Sequence, residues 1–246
     1  MILSLIGKNI LIVGGAKRIG RAVALECARS GANVAFTFHT SHVDADETLA
    51  ELQLLAPPQK FAAFPLDVSL SEQWKRLAED IERDFGGLSG LVFCAAIFKR
   101  TPLASLSEGD FDEHIAANLK GPFLGCQTFG SRLEEGGSIV LFSDIHASRP
   151  LLNFIPYCTS KAGVEMLAKG FAKALAPRGV RVNCIAPGAI LPGENDEDSV
   201  EELVARVPMK RLGTLEEITQ TVLFLLGGPK YLSGVIIPID GGQLLR

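Results

Sequence analysis

The sequence predicts a single doubly wound α/β domain spanning residues 1–246, a parallel sheet of about seven strands with helices on both faces (Rossmann-like). Three observations predict it. Short, near-continuously apolar runs recur along the chain, as strands buried on both faces of a parallel sheet require. Longer helical patterns separate them, an alternation that implies right-handed βαβ crossovers. No composition shift, repeat or Pro/Gly/Ser-rich linker divides the 246 residues.

The elements follow in order. Residues 1–13 lack a basic start and are broken by Lys8-Asn9, so 9–13 reads as a first strand and not as a targeting segment. Further strands read at 33–38, 61–65, 91–95, 138–142, 181–185 and 235–239. Helices read at 18–30, 43–55, 70–85, 107–134, 154–176 and 214–226. The acidic, breaker-rich stretch 193–198 reads as a solvated loop or as part of a lid, because its neighbour Pro187-Gly188 follows a strand end. Open α/β sheets bind ligands outside such strand ends.

Composition narrows the function. Lys plus Arg number 24 against 28 acidic residues, a net charge of −4, which leaves no nucleic-acid footprint. The five cysteines (Cys27, Cys94, Cys126, Cys158, Cys184) are scattered through strand and helix runs, as reduced thiols in a cytoplasm would be. The four histidines show no ligand pairing, so no metal site is expected. No apolar stretch reaches membrane-spanning length. A cytoplasmic protein with a small-molecule substrate is the expectation.

The first strand ends in Val13-Gly14-Gly15-Ala16-Lys17-Arg18-Ile19-Gly20, and an amphipathic helix follows at once. Gly14 and Gly20 flank a turn where backbone can approach a pyrophosphate, and the helix start offers free N–H groups. The plain alternative is a tight βα corner. Lys17 and Arg18 oppose the helix dipole unless an anion is their partner. At the end of strand two, Phe38-His39-Thr40-Ser41-His42 carries no carboxylate before Asp44. An enzyme for the unphosphorylated cofactor usually holds its ribose with an acid there. Its absence, with Lys17 and Arg18, points to NADP(H).

Tyr157 and Lys161 stand at i, i+4 at the head of an apolar helix, on one face. A phenol titrates near pH ~10, and a nearby ammonium favours its ionised form, which makes the pair a usable acid/base.

These motifs, in this order, resemble the short-chain dehydrogenase/reductase family from end to end. The matching residues are the Gly14–Gly20 turn, Asp67-Val68 after strand three, Asn118 in Asn118-Leu119-Lys120-Gly121, Tyr157 with Lys161, and Pro187-Gly188. Within the family the chain is most similar to the pteridine reductases. Arg18 stands where other relatives carry Gly, and His39 and Ser41 match a His-Arg-Ser pattern. Phe98 and Thr101-Pro102-Leu103 follow that group's spacing, and Asp144 lies thirteen residues before Tyr157, where most relatives carry Ser. An alternative alignment would put Ser143 in that place; Pro150-Leu151-Leu152 favours Asp144.

The resemblance implies catalytic roles for Asp144, Tyr157, Lys161 and Asn118, the last supporting a water relay. It implies cofactor contacts from Gly14, Lys17, Arg18, Ile19, Gly20, His39, Thr40, Ser41, Asp67, Val68, Ala95, Tyr157, Lys161, Pro187, Gly188 and Ile190. Substrate would meet Phe98, Asp144 and Tyr157, with Phe98 sandwiching a flat heterocycle. The family's Asn-Asn-Ala stretch is Phe93-Cys94-Ala95 here, and the pteridine group's Ser and Arg are Ala96 and Thr40. Plainer readings stay open: Phe98 as a core aromatic, Asp67 as a helix-start residue, Asn118 at a kink, Asp144 as a cap.

Three functions compete. The first is NADPH-dependent reduction of a C=N bond in a pterin or dihydrofolate. The second is carbonyl reduction of the ketoacyl type. The third is a catalytically degraded NADP(H)-binding scaffold. The family habit also implies a homo-oligomer, a tetramer.

Overall fold

A computed structural model describes residues 4–55, 58–191 and 199–245. Seven strands form one parallel sheet in the order β3-β2-β1-β4-β5-β6-β7. They are β1 (Asn9–Val13), β2 (Asn33–Phe38), β3 (Phe61–Pro65), β4 (Leu88–Phe93), β5 (Leu133–Phe142), β6 (Arg181–Pro187) and β7 (Ile236–Ile239). The helices are α1 (Arg18–Arg29), α2 (His42–Leu55), α3 (Ser71–Phe85), α4 (Glu108–Ile115), α5 (Gly121–Gly130), α6 (Ile155–Leu175), α7 (Val200–Ala205) and α8 (Leu215–Gly227).

Strand pleating divides the core into two layers. Ile10 and Ile12 of β1 pack with Val23, Phe36, Ile218 and Val222 beneath α1 and α8. Leu11 and Val13, one residue out of phase, pack on the opposite face with Trp74, Ile81, Phe129 and Val164 of α3, α5 and α6. Both faces are covered, which is why the strands read as unbroken apolar runs. Trp74 is fully buried and its indole N–H donates to Val68 O at 2.9 Å, so the bulkiest core side chain leaves no polar atom unsatisfied.

The chain departs from expectation in its fourth crossover. A single helix over 107–134 is not formed. α4 ends at Ile115, a π-turn occupies Ala116–Lys120, and α5 ends at Gly130, after which Leu133 already pairs with Leu88 as the start of β5. β4 likewise begins earlier than expected and stops at Phe93. The N–H groups of Cys94 and Ala95 both turn to Val13 O at 2.9 Å, which bends the chain under the Gly14 turn. α7 was not anticipated, although its capping box, Ser199 with Glu202, is a helix-start signal. The stretch 193–198 lies outside the described residues. Among the described residues no helix is long and apolar enough to cross a membrane.

Candidate active site

The β1–α1 turn is shaped by contacts that admit no side chain. Gly14 has φ +79°, and a Cβ there would lie 2.8 Å from Ala95 Cα. A Cβ on Gly20 would lie 1.9 Å from Gly14 O, so the start of α1 sits directly against the turn. Thr37 of β2 fixes the loop from behind: its Oγ1 accepts from Gly14 N–H at 3.1 Å and its carbonyl from Gly15 N–H at 2.9 Å. Arg18 takes a left-handed φ of +53°, the conformation a glycine would adopt freely. No side chain caps α1, which leaves its first N–H groups for a ligand.

Two clefts open at the carboxyl ends of the strands. The smaller, about 310 Å³, is lined by Gly14, His39, Asp67, Val68 and Ala95 among others. Burial opposes ionisation of Asp67, but hydrogen bonds from the Ser69 hydroxyl and N–H, with His39 and Lys120 nearby, hold its carboxyl below the ordinary range. Of the expected cofactor residues, Lys17, Gly20, Thr40 and Ser41 line neither cleft. The larger cleft, about 750 Å³, brings together Arg18, Ile19, Phe98, Asp144, Tyr157, Lys161, Pro187, Gly188 and Ile190. The two clefts meet on either side of the glycine turn, as an elongated dinucleotide requires.

α6 presents Tyr157 and Lys161 one turn apart, both buried. The Tyr157 hydroxyl donates to Asp144 Oδ2 at 2.8 Å. Burial, then the Asp144 charge and that hydrogen bond, push the phenol well above its ordinary range. Lys161 Nζ donates to Phe142 O at 2.9 Å and lies 5.7 Å from the Tyr157 ring centre. Burial lowers its pKa, while Asp144 acts in the opposite direction. Asp144 is also anchored behind, since its Oδ1 accepts the His146 N–H at 2.8 Å. It is thus both a cap and the partner of Tyr157.

Ser143 does not stand in for Asp144. Its hydroxyl is buried and turned towards α6, within reach of Glu165 Oε1 at 3.1 Å and Lys161 O at 3.2 Å. Asn118 sits inside the π-turn, with Oδ1 accepting from Ile97 N–H at 2.8 Å and Nδ2 donating to Ile97 O at 2.9 Å and Ser160 Oγ at 3.3 Å. Its amide is therefore committed to protein groups, and it pins the loop that carries Phe98. Phe98 is 43% exposed and no core filler. It stacks on Phe154 at 4.5 Å and meets Tyr157 edge-on at 4.7 Å.

Cys94, in the family's asparagine position, lines the larger cleft, and burial pushes its thiol up to about 12. Sequence reasoning missed several lining residues, Phe154, His146, Arg149 and Gln243 among them. Phe154 was findable, because it lies three residues before Tyr157 at the head of the same helix. His146, Arg149 and Gln243 carry no periodic signal; only the fold brings the C-terminal segment to this cleft.

Fold and site together define a dinucleotide-dependent oxidoreductase. Residues 14–243 match the family described as enoyl-(acyl carrier protein) reductase. The chain is 34% identical over 245 residues to the 3-oxoacyl-(acyl-carrier-protein) reductase FabG of Thermotoga maritima, covering 97% of this chain and 98% of that one. The corresponding reductase of Staphylococcus epidermidis is 30% identical over 244 residues, covering 97% and 99%. A short chain dehydrogenase from Burkholderia cenocepacia J2315, solved in complex with NADP, superposes with a TM-score of 0.90 at 30% identity, covering 97% and 98%. The chain belongs to the short-chain dehydrogenase/reductase family.

Proposed function

We propose that the protein is an NADPH-dependent carbonyl reductase of the ketoacyl type, working in the reducing direction. The hydrogen bond from Tyr157 to Asp144 carries the direction. An alcohol oxidation needs Tyr157 as a base, and a phenolate beside an ionised carboxylate in a buried site is disfavoured twice over. A reduction needs an acid, and the raised Tyr157 phenol holds its proton.

NADPH would supply the hydride. The Gly14–Gly20 turn and the open start of α1 would take its pyrophosphate, Arg18 a phosphate, and Asp67, Val68 and Ala95 its adenosine half. Lys161 would hold the nicotinamide ribose, with Pro187, Gly188 and Ile190 around the nicotinamide. The Tyr157 hydroxyl, positioned by Asp144, gives its proton to the substrate oxygen, and a proton from solvent restores the phenol. Asn118 acts as a positioning residue, since its amide is spent on Ile97 and Ser160.

Full-length similarity to 3-oxoacyl-(acyl-carrier-protein) reductases supports a carbonyl substrate over a C=N bond. The second reading, dihydropterin or dihydrofolate reduction, is favoured by Asp144 itself, whose acid form could donate to a ring nitrogen. Against it, one face of Phe98 is already stacked on Phe154, which leaves less ring for a heterocycle. A degraded scaffold is the poorest fit, because Tyr157 is hydrogen-bonded to Asp144 and Lys161 lies 5.7 Å from its ring centre. The proposal includes a cytoplasmic homo-oligomer, a tetramer, for which the exposed Phe123, Met166 and Leu245 would supply apolar contact.

The test follows NADPH oxidation across a β-ketoacyl thioester, a simple ketone, dihydrobiopterin and dihydrofolate. Turnover should be fastest on the ketoacyl thioester. Turnover confined to the pterins would transfer the assignment to the second reading, and none on any substrate would end both.

A further inference from the structure

The turn that follows β5 ties the Asp144–Tyr157 pair to an arginine. His146 lies between them. Its backbone N–H donates to Asp144 Oδ1 at 2.8 Å, and its ring Nδ1 is 2.9 Å from Arg149 O. A carbonyl only accepts, so Nδ1 carries the proton in that contact. The Arg149 N–H closes the turn on Ile145 O at 3.2 Å. Asp144 and Arg149, five residues apart, are therefore held in a fixed relation, and both line the larger cleft.

The guanidinium is held at its other end by a neutral group. Arg149 Nη1 donates to Gln243 O at 2.9 Å, and among the described residues no carboxylate pairs with Arg149. Gln243 is itself buried and fixed, with its Oε1 accepting from Ala189 N–H at 3.3 Å. Among the described residues lining this cleft, Asp144 is the sole carboxylate, and it is occupied by Tyr157 and His146. A chain of net charge −4 thus places a guanidinium with no carboxylate partner among the described residues on the wall of a cleft that Arg18, Arg100, Arg206 and Lys161 also line, beside apolar and aromatic side chains. Planar guanidinium is suited to bidentate capture of carboxylate or phosphate.

We infer that Arg149 is a specificity-determining residue that selects substrates carrying an anionic group, a carboxylate or a phosphate, on an apolar body. This rests on the reductase reading of the same cleft and names what its substrate must carry. The anion fixes one end of the substrate while the reducible bond lies against Tyr157, so orientation comes from the rigid Asp144–His146–Arg149 turn.

The experiment titrates the NADPH-loaded protein calorimetrically with 3-phenylpropanoate, phenyl phosphate and the neutral 3-phenylpropanamide, which reads binding without turnover. At least one anion should bind about tenfold or more tightly than the amide, as one charge-assisted hydrogen bond provides. Whether the carboxylate or the phosphate binds more tightly identifies which group the site prefers. Arg149→Met should bring the anion-to-amide ratio close to unity, and Arg149→Lys should keep part of it; NADPH affinity of both variants verifies that they are folded. An amide that binds as tightly as both anions, or an anion preference unchanged in Arg149→Met, would overturn the inference. An Arg149-dependent preference in a protein that reduces no carbonyl or C=N compound would uphold the anion site and remove the reductase reading.

Discussion

Replacing Asp144 tests the proton chemistry at its root. Tyr157 Oη and Asp144 Oδ2 are 2.8 Å apart. Two negative charges at that separation repel by up to about 6 kcal/mol at an effective dielectric of about 20, so the doubly ionised pair is suppressed by roughly four powers of ten. Wild type should therefore reduce carbonyls well at mildly acidic pH and oxidise the matching alcohols poorly even at pH ~9. Asp144→Ala removes the acceptor that positions the proton donor Tyr157 and should lower kcat for reduction by about 10²–10⁴. Asp144→Ser removes the charge but keeps a hydroxyl, and should raise oxidation relative to reduction by at least about tenfold. The sign for stability follows from the same shift. The Tyr157 phenol is raised on folding, so its contribution is complete below the unfolded value of about 10 and is lost as pH rises through the folded value. The assay is a pH–rate profile in both directions for wild type and both variants, with thermal midpoints beside it. Full reduction by Asp144→Ala, with an unchanged profile, would show that Asp144 only caps its turn and would refute the reasoning.

Three further outcomes are expected. Titration should show NADPH bound at least about tenfold more tightly than NADH, because no carboxylate ends β2 and Arg18 lines the cleft; equal affinities would remove that basis. Phe98→Ala should weaken aromatic substrates by about 0.5–1.5 kcal/mol in KM while NADPH affinity holds, and unchanged kinetics on every aromatic substrate would make Phe98 a mere wall for Phe154. Lys161→Met should abolish turnover yet raise the melting midpoint by a few degrees, since burial opposes the ammonium at neutral pH; a fall in midpoint would mean that its bond to Phe142 O outweighs that desolvation.

The sheet was legible because its strands are short and apolar on both faces. The bounds of β1, β2 and β3 follow directly from their runs. Legibility failed where a side chain, and not periodicity, decides the backbone. Nothing in the apolar spacing of 107–134 says that Asn118 will bind Ile97 through both ends of its amide and break the helix into two. In the site, Tyr157 with Lys161 was readable from helical spacing, and Asp144 only through the family resemblance. The choice between Ser143 and Asp144 needed the fold, since adjacent residues of extended chain point to opposite sides. Arg149 and Gln243 were not legible at all. They lie far apart in sequence and meet through one side chain and one carbonyl.

The π-turn at Ala116–Lys120 carries a longer-range consequence. Such a turn amounts to one residue more than a continuous α-helix would hold, and one residue is about 100° of rotation around the axis. Every side chain of α5 therefore faces where it does, relative to α4, because of that single insertion. Gly121 and Gly125 lie so close to Val68 and Trp74 that an added Cβ would come within 3.0 Å of each. The residue that loosens the helix for Asn118 thus also dials α5 into contact with α3 and the loop before it. Catalytic loop and hydrophobic layer are indexed by the same count of residues, and neither can be re-registered without the other.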